Sequence, residues 1–522
     1  MLPQRKIDEY LERKLDSFEW AKELTDLEIE EEMALLDPEP DFITKPRPLQ
    51  YACFLISVYC EEFLFFSDMG FGKTKLMLDS FAYRKKCGQV RKGLALAKDL
   101  GNAITWEQEA TLHRSDIKVK FLEGESPARW AELEKGDADF YILNYQGLVA
   151  MINYGVPKKK KKPTPKDRAE RLAAQQKNIN KLVLLFEFLT LDECTSVRNH
   201  TSDTHKFCYK IAASMKFRYG LTGTPIGRDP EKFWGQFKVI DRGATLGTTL
   251  GLFRGVFFTQ SKGWFGGYEY KFKKALSEKL NRTLQHRSIY IPISMVTELP
   301  PQDWLVHRLE LPESARKYYE MIKELGKKAK GDLKYMDKAV TSMRMLTSGY
   351  VRLTDPDTGQ QIDVELPVNV KLDDLVFTLE SSGPTEKFII FHEYVKTGRM
   401  ICDRLSVEKV DHVFIRGEQK DKRSALERFR DDPKCRILVG NNTSCSTALN
   451  LQMARYTYFF ESPIAADVRE QAERRTWRPG QEKSVFYIDP IVIGSFDEKV
   501  RKYNKEGKNL LKALVGGDEE LA

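Results

Sequence analysis

The sequence lacks the features that mark membrane proteins, disulfide-rich secreted proteins and zinc proteins. No apolar run approaches the ~20 residues that a transmembrane helix needs. The eight cysteines form no C-x-x-C pair, which disfavours a zinc site and a disulfide framework and favours reduced thiols. The N-terminus is charged and has no apolar signal core, so we expect a cytoplasmic protein without a membrane partner.

Length and charge point to a multidomain protein with a polyanionic partner. A chain of 522 residues can bury two or three cores, and its net charge of +8 is unevenly placed. Lys158–Lys162 are five consecutive lysines flanked by prolines, which predicts a surface loop because adjacent ammonium groups cannot be buried. The loop is either a solvated charge run or a contact to nucleic acid phosphates, and a nuclear localisation signal stays open only if the host cell has a nucleus.

Short apolar runs alternate with helical segments in two separate regions of the chain, which predicts an α/β fold with two doubly wound parallel-sheet lobes. The runs of the first region are Phe63–Phe66, Leu94–Ala97, Val119–Leu122, Phe140–Leu143, Leu182–Phe186, Leu189–Leu191 and Phe217–Leu221. Those of the second are Phe388–Phe391, His412–Ile415, Ile437–Val439, Tyr456–Phe460 and Val485–Ile488. The predicted divisions are an acidic helical extension (1–44), a first lobe (45–242), a connector with helical protrusions (243–365), a second lobe (366–500) and a tail (501–522). The extension either packs on the first lobe or covers its DNA path as an autoinhibitory element.

A phosphate-binding loop is predicted directly after the first apolar run. Gly70 and Gly72 let the backbone turn its N–H groups toward an oxyanion, and a helical pattern follows them. Lys73 would reach the β and γ phosphates, and Thr74 would hold Mg²⁺. Ser67 stands where the usual pattern has its first glycine.

Two adjacent carboxylates, Asp192 and Glu193, follow a buried apolar run. Since parallel strands place their carboxyl ends at one sheet edge, we expect this pair beside the phosphate loop. A nucleotide hydrolase needs one acid to hold Mg²⁺ and another to orient and deprotonate the attacking water, and the pair suits these two roles.

A dense cluster of cations lies in the second region. Arg475 and Arg478 are three residues apart, so on a helix they would share one face. Guanidinium groups supplied by a second lobe would stabilise charge on the transferring phosphoryl group, which predicts that hydrolysis is coupled to motion.

These motifs, with others in the same order, make the chain resemble superfamily-two helicases of the Swi/Snf type over about residues 45–500. The strings that carry the resemblance are Arg47-Pro48-Leu49-Gln50, Asp68-Met69-Gly70-Phe71-Gly72-Lys73-Thr74, Leu191-Asp192-Glu193, Leu221-Thr222-Gly223-Thr224-Pro225 and the Gln471-Ala472, Arg475, Arg478, Gly480-Gln481 set. The resemblance implies RecA-like lobes, ATP and Mg²⁺ as cofactors, and movement along double-stranded DNA without strand separation.

The resemblance also implies roles for single residues. Gln50 would recognise adenine, and Gln471 would act with Arg475 and Arg478 as the coupling motif of the second lobe. Thr222, Thr224 and Asn450 would link the ATP site to the nucleic acid. Two departures mark a divergent motor: Thr195 stands where relatives have His, and Cys445–Leu451 replaces a glycine-rich motif.

The resulting hypothesis is an ATP-dependent, sequence-nonspecific translocase on duplex DNA, working as a monomer and encoded by a bacterial or viral genome. Strand separation or the remodelling of forks and recombination intermediates is a second hypothesis, and RNA stays open as a substrate. A nucleic-acid clamp with a degenerate ATPase is a third. The retained Lys73, Asp192, Glu193, Arg475 and Arg478 favour an active enzyme over the clamp.

Overall fold

The computed structural model describes residues 18–68, 70–98, 100–158, 162, 164–223, 225, 229–262, 268–296, 298–328, 333–354, 360–415, 422–442 and 451–515. The chain divides into two compact units. The first contains Met1–Ser261, Glu269–Val296 and Leu510–Ala522, and the second contains Lys262–Tyr268 and Thr297–Asn509.

The first unit is built on a seven-stranded parallel sheet with the order β3-β4-β2-β5-β6-β1-β9. In chain order the strands up to residue 296 are β1 (Glu62–Ser67), β2 (Gly93–Ala97), β3 (Val119–Phe121), β4 (Phe140–Asn144), β5 (Phe188–Asp192), β6 (Phe217–Thr222), β7 (Phe258–Lys262), β8 (Tyr268–Phe272) and β9 (Ser288–Ile291). The pair β7 and β8 forms a separate two-stranded sheet.

Helices cover both faces of this sheet. They are α1 (Asp26–Ala34), α2 (Pro48–Tyr59), α3 (Lys73–Lys86), α4 (Leu100–His113), α5 (Ser126–Lys135), α6 (Tyr145–Ile152), α7 (Pro165–Leu185), α8 (Asp203–Ala212), α9 (Lys232–Ile240), α10 (Leu250–Phe257) and α11 (Ser277–Gln285). Along β1, Leu64 and Phe66 enter one hydrophobic core while Phe63 and Phe65 enter another. This alternation is what a strand buried on both faces requires.

The described part of the N-terminal extension packs on the first unit. Phe18 is buried with its ring centroid 4.8 Å from that of Phe63, and Leu36 is buried in the same core. Thr25 and Glu28 form a capping box that begins α1. Residues 18–44 therefore pack on the first unit, as the first of the two alternatives for this segment predicts.

The second unit contains a six-stranded parallel sheet with the order β10-β17-β16-β13-β15-β14. Its strands, with an antiparallel hairpin of β11 and β12, are β10 (Gln302–Leu309), β11 (Tyr350–Thr354), β12 (Gln361–Glu365), β13 (Phe388–His392), β14 (His412–Ile415), β15 (Ile437–Asn441), β16 (Tyr456–Phe459) and β17 (Val485–Val492). The remaining helices are α12 (Glu313–Lys328), α13 (Leu333–Thr347), α14 (Val370–Ser381), α15 (Val395–Val407), α16 (Lys422–Asp431), α17 (Ala466–Glu473) and α18 (Phe496–Val515).

The predicted class, two parallel-sheet α/β lobes, is confirmed, with two differences in detail. Residues 182–185 end the helix α7 and are not a strand, because Ile179 and Leu182 share the one face of that helix that reaches the core. The segment 243–365, interpreted as connector and protrusions, supplies the edge strands β9 and β10, one to each sheet. The five predicted divisions of the chain stay a prediction.

Candidate nucleotide site

The glycine loop follows β1 and ends where α3 begins. Gly70 and Gly72 have φ values of 86° and 90°, a region that favours glycine. Gly72 is the N-terminal cap of α3, whose first residue is Lys73. The segment has the predicted order of strand, glycine turn and helix. Met69, within the turn, lies outside the residues that the structure describes.

Two side chains from the start of α2 hold this loop. Arg47 Nη2 donates to the carbonyls of Gly70 at 2.9 Å and Phe71 at 2.5 Å. Gln50 Nε2 donates to the Phe71 carbonyl at 2.7 Å, and its Oε1 accepts from the Arg47 backbone N–H at 2.9 Å. A Cβ at Gly72 would lie 2.3 Å from Gln50 Nε2. Gln50, predicted to recognise adenine, therefore also packs directly against the phosphate loop, and Arg47 is a loop-holding residue that sequence reasoning did not assign.

The predicted phosphate lysine lies at the carboxyl end of β1. Lys73 Nζ donates to the Ser67 carbonyl at 2.7 Å and the Asp68 carbonyl at 3.2 Å. The Asp68 carboxylate is buried and accepts the backbone N–H of Ile293 at 3.1 Å, so it fastens the loop to the segment after β9. Thr74 follows in the first turn of α3 and is half-buried.

Asp192 lies at the carboxyl end of β5. Its Oδ2 accepts from Trp106 Nε1 at 2.9 Å, and its Oδ1 accepts from the Glu193 N–H at 3.0 Å. Burial, and then the neighbouring Glu193 carboxylate, raise the pKa of Asp192 to about 6, against the opposing influence of the Trp106 hydrogen bond and the Lys73 ammonium. The carboxylate is thus fixed in orientation and lies within the electrostatic influence of Lys73.

Glu193 follows in a left-handed conformation with φ 48°, which is uncommon for a residue with a side chain. Its carboxylate is buried, and Oε2 accepts from Thr222 Oγ1 at 2.9 Å. Strand order explains this contact. The strand β6 lies between β1 and β5, with Thr222 paired to Phe66 and the preceding Leu221 paired to Asp192.

The first unit therefore brings Lys73, Asp192, Glu193 and Thr222 to the carboxyl ends of three adjacent strands. Parallel α/β sheets bind ligands at this edge. Thr224, the second threonine predicted to couple the site to nucleic acid, lies outside the described residues, and so does Asn450 of the second unit. Lys159–Lys161 of the lysine run also lie outside them, while Lys158 and Lys162 are exposed.

In the second unit, Gln471 lies on α17, but Arg475 and Arg478 do not. The helix ends at Glu473 with Arg474 as its C-cap, so the two arginines lie in the turns that follow and share no helix face. The geometric basis of the sequence-based hypothesis was therefore wrong. Arg475 is buried and Arg478 is half-buried.

Buried polar contacts fix the end of α17. Arg469 Nε donates to Glu473 Oε1 at 2.8 Å, and its Nη2 donates to Asp489 Oδ2 at 3.1 Å. The Glu473 carbonyl accepts from Tyr487 OH at 2.9 Å. Farther along, Gln481 Nε2 donates to the Gln452 carbonyl at 2.8 Å, which closes the arginine-bearing turn. None of these interactions, except the i, i+4 pair of Arg469 and Glu473, has a local sequence signal.

The comparisons with known proteins agree with this geometry. The SNF2-related domain family matches residues 49–352, which is more than half of the chain. The chain belongs to the SNF2-related family. The helicase conserved C-terminal domain matches residues 369–480 of this SNF2 protein. Together the two matches confirm the prediction of a Swi/Snf-type superfamily-two helicase and support its assignment as an ATPase.

Relatives differ in how much of the SNF2 protein they share. A protein designated p41, from Acyrthosiphon pisum secondary endosymbiont phage 1, is 23% identical over 500 residues, covering 90% of this chain and 97% of its own length. DNA repair protein rad8 of Schizosaccharomyces pombe is 31% identical over 156 residues, covering 29% of this chain, and the chain spans 14% of it. The Sulfolobus solfataricus SWI2/SNF2 ATPase core in complex with dsDNA aligns over 93% of this chain and 95% of its own with 17% identity and a TM-score of 0.40.

Neither a membrane span nor a cluster of metal-binding side chains is found in the part of the chain that the structure describes. No described helix is both long and apolar enough to cross a bilayer. No group of three or more His, Cys, Asp or Glu residues within the described ranges is placed to hold a metal ion.

Proposed function

We propose that this SNF2 protein is an ATP-dependent translocase that moves along double-stranded DNA without reading its sequence. The observation that carries the proposal is the meeting of Lys73, Asp192, Glu193 and Thr222 at one edge of the first sheet in a chain with both helicase-family matches. A lysine for phosphates and two acids are groups that a nucleotide hydrolase needs, and the Thr222 hydroxyl orients one of these acids.

The residues present fit a nucleoside triphosphate with Mg²⁺. Backbone N–H groups of the loop from Gly70 to Thr74, at the N-terminus of α3, would bind phosphate oxygens, and Lys73 would exchange its two carbonyl contacts for the β and γ phosphates. Thr74 and Asp192 would supply oxygen ligands of the kind that Mg²⁺ prefers, together with oxygens of the substrate phosphates. Bound Mg²⁺ would neutralise the charge that develops on the phosphates.

Glu193 is the proposed base. Its hydrogen bond from Thr222 fixes the carboxylate, so that it can orient a water molecule and accept its proton as the terminal phosphate is attacked. The same hydrogen bond joins the base to the last residue of β6, where the segment that continues to Pro225 begins. Thr222 and Thr224 would pass the presence of nucleic acid to Glu193 along this segment.

The remaining roles follow the family resemblance. Gln50 would recognise adenine, and its contact with Phe71 would make base recognition and loop conformation interdependent. Gln471, Arg475 and Arg478 of the second unit would stabilise charge on the transferring phosphoryl group, and Asn450 would contribute to nucleic-acid coupling. Because one chain carries all these residues, we propose a monomer that works in the cytoplasm with the DNA of a bacterial or phage-infected cell.

Phosphate release tests the proposal. Wild type, Lys73→Ala and the control Lys135→Ala are compared with and without sequence-unrelated duplex DNA. Lys135 is an exposed lysine paired with Glu132 on α5, so its replacement by Ala should change phosphate release neither with nor without DNA. We expect duplex DNA to stimulate wild type and Lys135→Ala, and Lys73→Ala to be inactive under both conditions.

Four outcomes separate the alternatives. A wild type indifferent to duplex DNA would contradict the translocase, and DNA binding without any hydrolysis would indicate the clamp. Release of the third strand from a triplex, with an ordinary duplex left paired, would support translocation. Displacement of a strand from that duplex would instead indicate an unwinding enzyme.

A further inference from the structure

Residues 192–197, which carry Asp192 and Glu193, are called the carboxylate turn here. A second link joins this turn to the segment after β6, and the proposed function does not use it. Gln236 on α9 is fully buried. Its Nε2 donates to the Pro225 carbonyl at 2.6 Å and to the Lys232 carbonyl at 3.3 Å. Its Oε1 accepts from the Cys194 thiol at 3.2 Å. One amide therefore contacts the residue after Glu193 and the residue after Thr224.

The orientation of this amide is determined by its partners. The carbonyls of Pro225 and Lys232 can only accept hydrogen bonds, so the amide nitrogen must face them and the oxygen must face Cys194. The Cys194 thiol therefore has the amide oxygen as its acceptor on this side chain.

The backbone of α9 also approaches the carboxylate turn closely. A Cβ on Gly235 would lie 2.5 Å from the Arg198 carbonyl oxygen and 3.0 Å from that of Val197. Only glycine permits this approach to the 3₁₀ turn Cys194–Val197. Displacement of that turn would therefore be transmitted to α9, and through Gln236 to Pro225.

Packing alone does not explain a glutamine at this position. Phe233, Phe237 and Ile240 of the same helix are buried in the core, and a buried amide is costly unless its hydrogen bonds are made. Gln236 makes these bonds to two turns that the proposed function requires to communicate. The Thr222–Glu193 hydrogen bond joins the same two segments, so the two links run in parallel.

We propose that Gln236 is a positioning residue that couples the carboxylate turn to the Thr222–Pro225 segment and thereby transmits DNA binding to ATP hydrolysis. The inference rests on the proposed function, because it concerns the DNA stimulation of that same site. Gln236 contacts neither nucleotide nor DNA in this role. Its loss should lower the stimulated turnover rather than the affinity for ATP.

Kinetics of Gln236→Leu test the coupling, with Gln175→Leu as the matched control. Gln175 is also a buried glutamine of the first unit, but it donates to Asn153 Oδ1, outside the two turns. For Gln236→Leu we expect the DNA-stimulated kcat to fall about fivefold, the effect of one or two neutral hydrogen bonds. Its KM for ATP and its phosphate release without DNA should stay within about twofold of wild type. Gln175→Leu should keep the full stimulation.

Cys194 provides a second test that leaves Gln236 in place. Cys194→Ala removes the donor to Oε1 and should weaken stimulation in the same direction as Gln236→Leu, whereas Cys194→Ser restores a donor and should recover part of it. If the hydrogen bonds of Cys194 and Gln236 act as one unit, the double variant Cys194→Ala/Gln236→Leu should lose no more DNA stimulation than Gln236→Leu alone. Thermal unfolding of each variant shows whether it is folded, and if Gln236→Leu is not, the Cys194 pair decides.

Different results would overturn the coupling role of Gln236 and the proposed function. A wild type that DNA does not stimulate contradicts the proposed function. A stimulated wild type with equal stimulation in folded Gln236→Leu, or with equal effects of Cys194→Ala and Cys194→Ser, overturns the coupling role alone. Equal losses in Gln236→Leu and Gln175→Leu would also overturn it, because that result would indicate a general effect of core disruption.

Discussion

Gly72 combines a backbone requirement with a packing requirement. Its φ of 90° disfavours any residue with a Cβ, and the missing Cβ makes room for Gln50 Nε2. We expect Gly72→Ala to lower the free energy of unfolding by about 1–2 kcal/mol through backbone strain. Displacement of Gln50 should also raise the KM for ATP about tenfold, the larger effect expected for lost hydrogen bonds. Chemical denaturation and steady-state phosphate release measure the two effects.

Gly88 provides the matched control for this substitution. It also has a positive φ, 67°, but a Cβ there would meet no atom within 4 Å. Gly88→Ala should therefore lower the free energy of unfolding through backbone strain without changing the KM for ATP. Equal KM values in the two variants would contradict a functional role for the contact between Gly72 and Gln50.

At the scale of elements, an ion pair joins β10 to α14. His307 Nδ1 lies 2.9 Å from Asp374 Oδ2, and this hydrogen bond raises the pKa of His307 above its ordinary value of 6.5. A histidine whose folded-state pKa is raised contributes stability that is fully present below pH 6.5 and is lost as the pH rises through the folded-state pKa.

Replacement of this histidine should therefore have a pH-dependent effect. We expect His307→Gln to lower the free energy of unfolding by up to about 1 kcal/mol at pH 5.5 and by less at pH 8.5. Denaturant unfolding of wild type and His307→Gln at the two pH values measures this loss of unfolding free energy. His412→Gln is the control, since His412 Nδ1 bonds the Val410 carbonyl. A penalty that grew with pH would show that the ion pair is not its source.

The N-terminal segment offers a second test at this scale, because adjacent leucines differ in burial. Leu36 is 4% exposed and Leu35 is 48% exposed. Leu36→Ala should cost roughly 2–4 kcal/mol of unfolding free energy by leaving a cavity, and Leu35→Ala should cost little. Neither should raise phosphate release in the absence of DNA. If Leu36→Ala did raise it while folded, the autoinhibitory alternative for this segment would gain support.

At the scale of the whole molecule, the proposed grip on the DNA backbone predicts salt dependence. The chain carries 84 Lys and Arg residues and a net charge of +8. Release of counterions from as few as two phosphate contacts would raise the DNA concentration for half-maximal stimulation about tenfold between 50 and 200 mM salt. Phosphate release titrated with two duplexes of unrelated sequence measures this. Different salt slopes for the two duplexes would contradict sequence-independent binding.

Local sequence patterns were sufficient to predict most of the elements and the chemistry carried by contiguous residues. Apolar runs of strand length predicted most strands of both sheets, because a strand buried on two faces needs an uninterrupted run. The glycine turn and the Asp192–Glu193 pair were predicted for a similar reason, since each function lies within a few adjacent residues. The family assignment followed from the same strings.

Tertiary structure alone decided how distant residues meet. Strand order places Thr222 against Glu193, 29 residues away, and the placement of α2 beside the glycine loop brings Gln50 to Phe71 across 21 residues. The membership of β9 and β10 in the sheets and the buried amide of Gln236 had no local pattern. The end of α17 before Arg475 depends on contacts of Glu473 with Tyr487 and Trp304. Local sequence encodes the conformation of a segment, whereas these contacts exist only once the sheets have ordered their strands.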